Sequence, residues 1–188
     1  MRHIYLFLAF VLLALPVQAA EPPMQDHDMH DSEPAYSGQA FLSGMIAHHE
    51  GAVAMSEALL RAPENRQDPQ VAAWAREIIK AQKSEIEEMK GWLKDVGGLD
   101  QNAYDQMHRE MQAMMHRYTS QDPNVQFVQQ MLPHHGMAVI MTVPVLVHFQ
   151  HEALLKLAQE ISVSQAREMH AFRTWLNARG DHTRAFFD

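Results

Sequence analysis

The sequence predicts an all-α protein built as a four-helix bundle, and three observations lead to that prediction. Apolar residues from Val71 to Leu93 recur at steps of three and four, which is the period of an amphipathic helix. Asp68 and Asp122 each precede a proline, and this pair is typical of a helix start. The second half of the chain also repeats the first in register, so we expect two helical hairpins that complete one another.

The repeat is clearest around two pairs of adjacent histidines. The segment FLSGMIAHHEGAVAM begins at Phe41, and FVQQMLPHHGMAVIM begins 86 positions later at Phe127. The repeated residues of the first segment are Phe41, Met45, His48, His49, Ala52, Val53 and Met55, and they return as Phe127, Met131, His134, His135, Ala138, Val139 and Met141. The helix that follows each segment repeats as well, pairing Gln82 with Gln165, Glu85 with Glu168 and Trp92 with Trp175. The duplication is therefore expected to cover a whole hairpin.

The order of segments along the chain predicts one domain behind an export signal. Residues 1–19 combine Arg2, an apolar run, Pro16 and a small-residue end, which is typical of a cleaved signal peptide. Residues 20–36 are rich in Met, His and acidic residues, and we expect a flexible tail. Residues 37–180 form the bundle, with repeat one at 37–98, a short Met-rich connecting helix at 100–118 and repeat two at 122–180.

Composition excludes several classes of function. The chain has 23 acidic against 15 basic side chains, so nucleic acid and anionic lipid are poor partners. It has no cysteine, which excludes disulfides and thiolate metal sites. Methionine and histidine are unusually frequent, at 14 and 13 residues. Any soft metal ligand in this chain must therefore be methionine.

The first histidine segment predicts a metal site. On a helix of about 100° per residue, Met45, His48, His49 and Met55 lie on one side. Thioether sulfur selects Cu(I) and imidazole suits several transition metals, so the mixture indicates copper. Core packing is the alternative for a single copy, because Met and His at helical spacing usually pack. The repeat favours the metal site, and its second copy consists of Met131, His134, His135 and Met141.

Polar residues interrupt the apolar stripe of the helix that follows each histidine segment. Gln82, Glu85 and Met89 should project together towards the histidines, and Gln165 and Glu168 should do the same in the second half. A carboxylate of this kind can hold one imidazole nitrogen and so orient the other towards a metal. A structural hydrogen bond without metal is the alternative. Both predict that Glu85 contacts the His48 and His49 region.

Two further clusters contain the same residue types. The tail cluster consists of Met24, His27, Met29 and His30, and it is interpreted either as a transient trap for soft metal ions or as an inert acidic linker. The connecting-helix cluster consists of Met107, His108, Met111, Met115 and His116, and it is interpreted either as a further soft-metal site or as a packing helix that caps the bundle.

Enzymatic activity is the weaker class. A di-iron centre needs several carboxylates beside the histidines. In the second copy, Gly136 and Met137 replace Glu50 and Gly51, although Met137 could supply another sulfur. A catalytic triad, a cysteine nucleophile, a HExxH motif and a phosphate-binding glycine loop are all missing from the sequence.

Both segments carry a Met-x-x-His-His-x-x-Ala-x-x-Met pattern, and through it the chain resembles the domain-of-unknown-function family 305 over roughly 39–176. The resemblance implies a ferritin-like four-helix bundle, exported to the periplasm or secreted, that binds Cu(I), Ag(I) or Cu(II). It also implies that the ligands are Met45, His48, His49 and Met55 in the first copy and Met131, His134, His135 and Met141 in the second.

These observations lead to one hypothesis and three alternatives. We expect a non-enzymatic periplasmic or secreted protein that sequesters or transfers Cu(I), and also Ag(I), in copper tolerance. Its expected partners are metal ions and periplasmic copper-efflux or copper-delivery proteins. We expect no membrane anchor after cleavage, and the sequence is compatible with a homo-oligomer. The alternatives are a His-dominated Zn(II), Ni(II) or Cu(II) carrier, a ferritin-like metal oxidase, and a metal-free bundle.

Overall fold

The computed structural model describes residues 37–181, and that part of the chain is helical throughout apart from short connections. Its helices are α1 (Gly38–Leu60), α2 (Pro69–Leu93), α3 (Gln101–Arg117), α4 (Pro123–His148) and α5 (Glu152–Asn177). No strand occurs among the described residues, so the predicted all-α class is confirmed. The predicted signal peptide at 1–19 and the tail cluster of Met24, His27, Met29 and His30 lie outside the described residues.

The helix starts follow from side chains that accept hydrogen bonds from free backbone N–H groups. Asp68 caps α2 by accepting from the amides of Gln70 and Val71, with Pro69 as the first helical residue. Asp122 accepts from the amide of Asn124 in the same way at the start of α4. Both Asp-Pro predictions are therefore confirmed, because a side-chain oxygen replaces the missing intrahelical acceptor.

Two apolar clusters hold the four long helices together, and each cluster draws on all four. Representative residues of the first cluster are Leu42, Ile86, Val145 and Leu157. Representative residues of the second cluster are Leu59, Ile78, Phe127 and Leu176. Helices α1 and α2 pack as one hairpin and α4 and α5 as another, while α3 lies mainly on α1. The histidine pairs of α1 and α4 fall where the two clusters meet along each helix.

Helix α4 differs from the other long helices in its composition. It contains no acidic residue, lysine or arginine from Pro123 to His148, and it continues through Pro133 and Pro144. Length and composition alone would let it cross a membrane, as is also true of many core helices of globular proteins. Its inner face is buried in both clusters, whereas Ile140, Val143 and Val147 are exposed on the outer face.

Candidate metal centre

Four histidines form a buried layer where α1 and α4 cross. His48, His49, His134 and His135 are each 0% exposed, and we call them the histidine layer. The rings of His48 and His134 lie against each other, with centroids 3.7 Å apart and planes tilted by 35°. Adjacent residues on a helix point about 100° apart, so one histidine of each pair faces the opposite helix while the other turns towards its own hairpin.

The two inner histidines make reciprocal bonds across the crossing. His48 Nε2 donates to the backbone carbonyl of His134 at 2.9 Å. His134 Nε2 donates to the backbone carbonyl of His48, also at 2.9 Å. Because a carbonyl can only accept, each Nε2 carries the proton and each neutral ring leaves its Nδ1 with a free lone pair. The two halves of the chain therefore meet at this point in a two-fold arrangement.

The two outer histidines are held by carboxylates of the neighbouring helix. His49 Nε2 lies 2.7 Å from Glu85 Oε2 on α2. His135 Nε2 lies 2.5 Å from Glu168 Oε2 on α5. The expected contact between Glu85 and the histidine region is thus present, and Glu168 repeats it. A hydrogen bond from Nε2 to a carboxylate fixes the ring and leaves Nδ1 as the atom able to bind a metal.

Every imidazole of the layer has a buried Nδ1 atom without a hydrogen-bond partner among the described residues. The side-chain oxygens of Gln82 and Gln165, at corresponding places on α2 and α5, are also buried and unpartnered. Leaving a buried polar atom unpaired costs on the order of 1–3 kcal/mol. The same unpaired atoms occur in both repeats, so they need an explanation. A metal ion that accepts the nitrogen lone pairs would remove the cost at the histidines.

Burial keeps the inner pair uncharged. The pKa of His48 is well below its usual value because burial disfavours the imidazolium ion, and the neighbouring His49 adds to this effect. The pKa of His134 is lowered for the same first reason, with His48 and His135 adding to it. The backbone hydrogen bonds oppose the shift without reversing it. Neutral imidazole is the form that binds metal ions, so the pair needs no deprotonation at neutral pH.

The methionines of each copy do not gather around that copy's own histidines. Met45 and Met89 lie in the first apolar cluster, and Met141 packs against it. Met55 and Met131 lie in the second. Ten residues of helix separate Met45 from Met55 by about 15 Å, so the predicted four-ligand set of one copy does not converge on one point. Each cluster instead combines a first-copy methionine with one from the second copy.

The connecting-helix cluster is also dispersed. Met111 is buried against Gly51 of α1, and Met115 packs against the second apolar cluster. Met107 lines a pocket with Met141, whereas His108 and His116 are exposed to solvent. The methionines of this cluster therefore contact different neighbours while its two histidines face solvent, and a single metal site on α3 stays a prediction. Met137 lines a separate pocket between α3 and α4.

The histidine layer is not a converged cluster of three or more metal-binding side chains. Within residues 37–181, no group of three or more His, Asp or Glu side chains is arranged to hold a metal ion. The donors that the structure does concentrate are imidazole nitrogens, two on adjacent residues of each helix, with thioethers in the clusters on either side.

Sequence reasoning missed one contact that holds α3 over the layer. The hydroxyl of Tyr104 donates a hydrogen bond to Glu50 Oε2 at 2.5 Å, and Glu50 directly follows His49 in the chain. This hydrogen bond to a carboxylate raises the pKa of Tyr104 to about 12. Lys90 Nζ lies 3.6 Å from the other carboxylate oxygen of Glu50. The sequence held one sign of this contact: the second copy has Gly136 in place of Glu50. Only the first repeat is followed by a connecting helix that a side chain at this position could hold.

The fold and the site together define an all-helical protein made of two similar hairpins, with a buried histidine layer where α1 and α4 meet. The chain belongs to the family described as "Domain of unknown function (DUF305)", whose model matches residues 38–123 and 124–186. No protein of curated function matches the chain significantly in sequence.

Three solved structures place the chain among its relatives. CopM in its Cu(I)-bound form is 30% identical with a TM-score of 0.60, over 74% of this chain and 95% of that one. CopM in an Ag-bound form is 30% identical with a TM-score of 0.58, over 74% and 94%. A DUF305 protein from Streptomyces coelicolor, described as secreted, is 23% identical with a TM-score of 0.62, over 75% and 92%, and supports the fold alone.

Proposed function

We propose that this protein is an exported copper carrier that sequesters or transfers Cu(I), and also Ag(I), and so contributes to copper tolerance. The observation that carries the proposal is the histidine layer, where four buried imidazoles are fixed through Nε2 and have unpartnered Nδ1 atoms. CopM, at 30% identity, has been obtained with Cu(I) and with Ag bound, and this supports the same class of cargo here.

The donor chemistry favours a soft monovalent ion over a harder divalent one. Adjacent imidazoles with thioethers nearby suit Cu(I), which accepts few, soft ligands. Zn(II) in proteins almost always takes three or four His, Cys or carboxylate ligands. A His-dominated Zn(II), Ni(II) or Cu(II) carrier is therefore the weaker candidate for the layer. Cu(II) remains a secondary cargo in the proposal, since CopM has also been obtained in a Cu(II)-bound form.

The chain's own residues prepare the layer for its cargo. Glu85 and Glu168 hold His49 and His135 in one orientation, which lowers the entropy lost when a ring binds an ion. Burial keeps His48 and His134 neutral, and it excludes water that would compete for the ion. A sulfur ligand needs no deprotonation, so thioethers in the flanking clusters can assist over a wide pH range.

The remaining predictions form part of the same proposal. We assign no enzymatic activity and a periplasmic or secreted location, which follows from the signal-peptide pattern of the first 19 residues. Residues 1–19 are taken as the cleaved signal peptide, 20–36 as a metal-capturing tail, and 37–180 as the duplicated bundle of ferritin-like type. The cargo would pass to periplasmic efflux or delivery proteins.

Self-association is proposed through the outer face of α4, with a second copy of the chain as the partner. Ile140, Val143 and Val147 are 58%, 50% and 65% exposed there. The corresponding positions of the first repeat are Ala54, Glu57 and Arg61. Only the second repeat therefore presents an apolar surface at this place. In a chain of net charge −8, an uncharged helix face is where two copies can approach without repulsion.

The test is native mass spectrometry of the anaerobic mature protein titrated with Cu(I) under a competing chelator, beside Zn(II). We expect retained Cu(I) and little Zn(II). The double substitution His48→Gln with His49→Gln should weaken Cu(I) binding at least tenfold while the helical circular dichroism is kept. His148→Gln with His170→Gln, at two exposed histidines, is the matched control. Preferential Zn(II) retention would contradict the proposal.

A further inference from the structure

Two surface pockets border α3 and α4, the first of them also bordering α1, and the lining of each contains one methionine of α3 and one of α4. The first, of about 210 Å³, is lined by Met107 of α3 and Met141 of α4. The second, of about 270 Å³, is lined by Met114 of α3 and Met137 of α4, and its lining also includes the charged residues Glu110 and Arg117. Met111 is buried between them, where a Cβ on Gly51 would lie 3.4 Å from its sulfur. We call these five residues the methionine seam.

The seam follows from the helical period. Met107, Met111 and Met114 are spaced by four and three residues, so they share one face of α3. Met137 and Met141 are four residues apart and share one face of α4. The earlier methionine of α3, Met107, shares a pocket with the later one of α4, Met141, and the other pocket has the reverse order. Seven residues of helix place the two pockets about 10 Å apart along α3. Methionines of the two helices therefore line the same pocket at two places on the surface.

Packing alone does not account for the choice of residue. Between Gln101 and Arg117, α3 contains four methionines and no leucine, isoleucine, valine or phenylalanine. Helix α1 contributes to the same core with all four of those residue types. Leucine and isoleucine specify a packed core better than methionine does. Met107, Met137 and Met141 are moreover only half-buried and border open pockets, which they do not fill.

The first pocket suits a soft cation by its chemistry. Among residues 37–181, no charged or histidine side chain lines it, and besides the two methionines it is formed by alanine, phenylalanine, glycine and one glutamine. Thioether sulfur selects soft ions such as Cu(I). The volume is several times the roughly 30 Å³ that a water molecule occupies, so an ion with residual waters fits.

We propose that the methionine seam is an outer binding site for a soft monovalent cation, Cu(I) or Ag(I), separate from the histidine layer. The inference rests on the proposed function, since it assigns an additional site for the same cargo. The sequence predicted a site made of α3 residues alone, whereas the proposed site uses one methionine of α3 and one of α4 in each pocket. The site would take up ions at the surface without requiring them to enter the buried layer.

The experiment uses Ag(I), which needs no reductant, on mature protein carrying ¹³C-labelled methionine methyl groups. Met107→Leu with Met141→Leu removes both sulfurs of the first pocket at nearly constant volume. We expect this variant to bind one Ag(I) fewer in native mass spectra than the wild type. In the wild type, the assigned methyl signals of Met107 and Met141 should shift on titration. Met169→Leu, at a half-buried methionine of α5 outside the seam, is the matched control and should lose no ion.

The outcomes separate this inference from the proposed function. The N-terminal tail is the same in all variants, so ions that it holds cancel in the comparison. His48→Gln with His49→Gln should keep the seam ion and its methyl shifts. If this Met107→Leu, Met141→Leu variant and the matching Met114→Leu, Met137→Leu variant both bind as many Ag(I) ions as the wild type, with equal affinity, the seam alone is overturned. A wild-type protein that binds no Ag(I) or Cu(I) overturns both.

Discussion

At the scale of single residues, the buried pair His48 and His134 links stability to pH. Burial holds both pKa values well below the usual 6.5, so neither ring accepts a proton in the folded state as readily as in the unfolded chain. Below pH 6.5 the unfolded chain therefore binds more protons, and folding is penalised. The stability conferred by neutral rings is complete above pH 6.5 and declines as the pH falls below it.

We predict that the metal-free protein loses stability between pH 7 and pH 5, by up to about 1.4 kcal/mol per pH unit for each inner histidine. Urea unfolding at several pH values measures this slope. His48→Gln with His134→Gln removes both titrating rings, so the slope of this variant should be flatter by that amount. The other histidines are common to both proteins. An equal slope in the two proteins would show that the inner pair is not the source.

The outer histidine contacts could be predicted from sequence, whereas the inner ones could not. Glu85 and Glu168 interrupt an otherwise apolar stripe, and within a helical hairpin such a residue has only the facing helix to contact. The bond between His48 and the carbonyl of His134 depends on where α1 crosses α4, which no local pattern records. The same crossing places Met45 with Met141 in one cluster and Met55 with Met131 in the other.

At the scale of secondary-structure elements, Gly51 sets how closely α3 approaches α1. A Cβ at Gly51 would lie 3.1 Å from Cγ and 3.3 Å from Cβ of Met111, closer than ordinary contact allows. Gly91 of α2 has nothing within 4 Å of the same position, although it is also inside a helix. The two glycines can be compared directly. Each destabilises its helix relative to alanine, but only at Gly51 would a larger side chain collide with a neighbour.

We predict opposite effects of substitution at these glycines. Gly91→Ala should stabilise the protein by about 0.5–1 kcal/mol, because alanine favours the helix. Gly51→Val should destabilise it by about 1–3 kcal/mol through overpacking against Met111. Urea unfolding gives both values. Met111→Ala should reduce the cost of Gly51→Val when the two are combined, and a cost that is unchanged in the double variant would mean that another contact is responsible.

The helix bounds themselves were accessible from sequence because they depend on local chemistry. Asp68 and Asp122 supply the capping oxygens, and Gly97 at φ 91° ends the α2 segment in a conformation that glycine adopts readily. The sequence predicted the bounds of α3 nearly as observed, but it did not predict that α3 packs against α1. The packing of α3 on α1 depends on the hydrogen bond from Tyr104 to Glu50 and on the close approach of Met111 to Gly51. Both are contacts between residues far apart in the sequence.

At the scale of the whole molecule, the two repeats differ most on their outer surfaces. Their buried histidines and glutamines and their half-buried carboxylates correspond, but Val143 and Val147 are exposed where the first repeat has Glu57 and Arg61. A stable dimer commonly buries about 800 Å² per partner, more than a few side chains of one helix offer. We therefore expect a weak, concentration-dependent dimer.

Substituting the first-repeat residues into α4 tests this surface with side chains that the fold already accepts at corresponding places. Val143→Glu with Val147→Arg should keep the protein monomeric, while the wild-type mass should rise towards the dimer as concentration increases in sedimentation equilibrium. Gln70→Glu with Gln112→Arg adds the same charges at exposed sites on α2 and α3, and it should leave association unchanged. If the wild type remains monomeric up to millimolar concentration, or if the α4 variant associates equally well, the outer face of α4 does not bind a second copy.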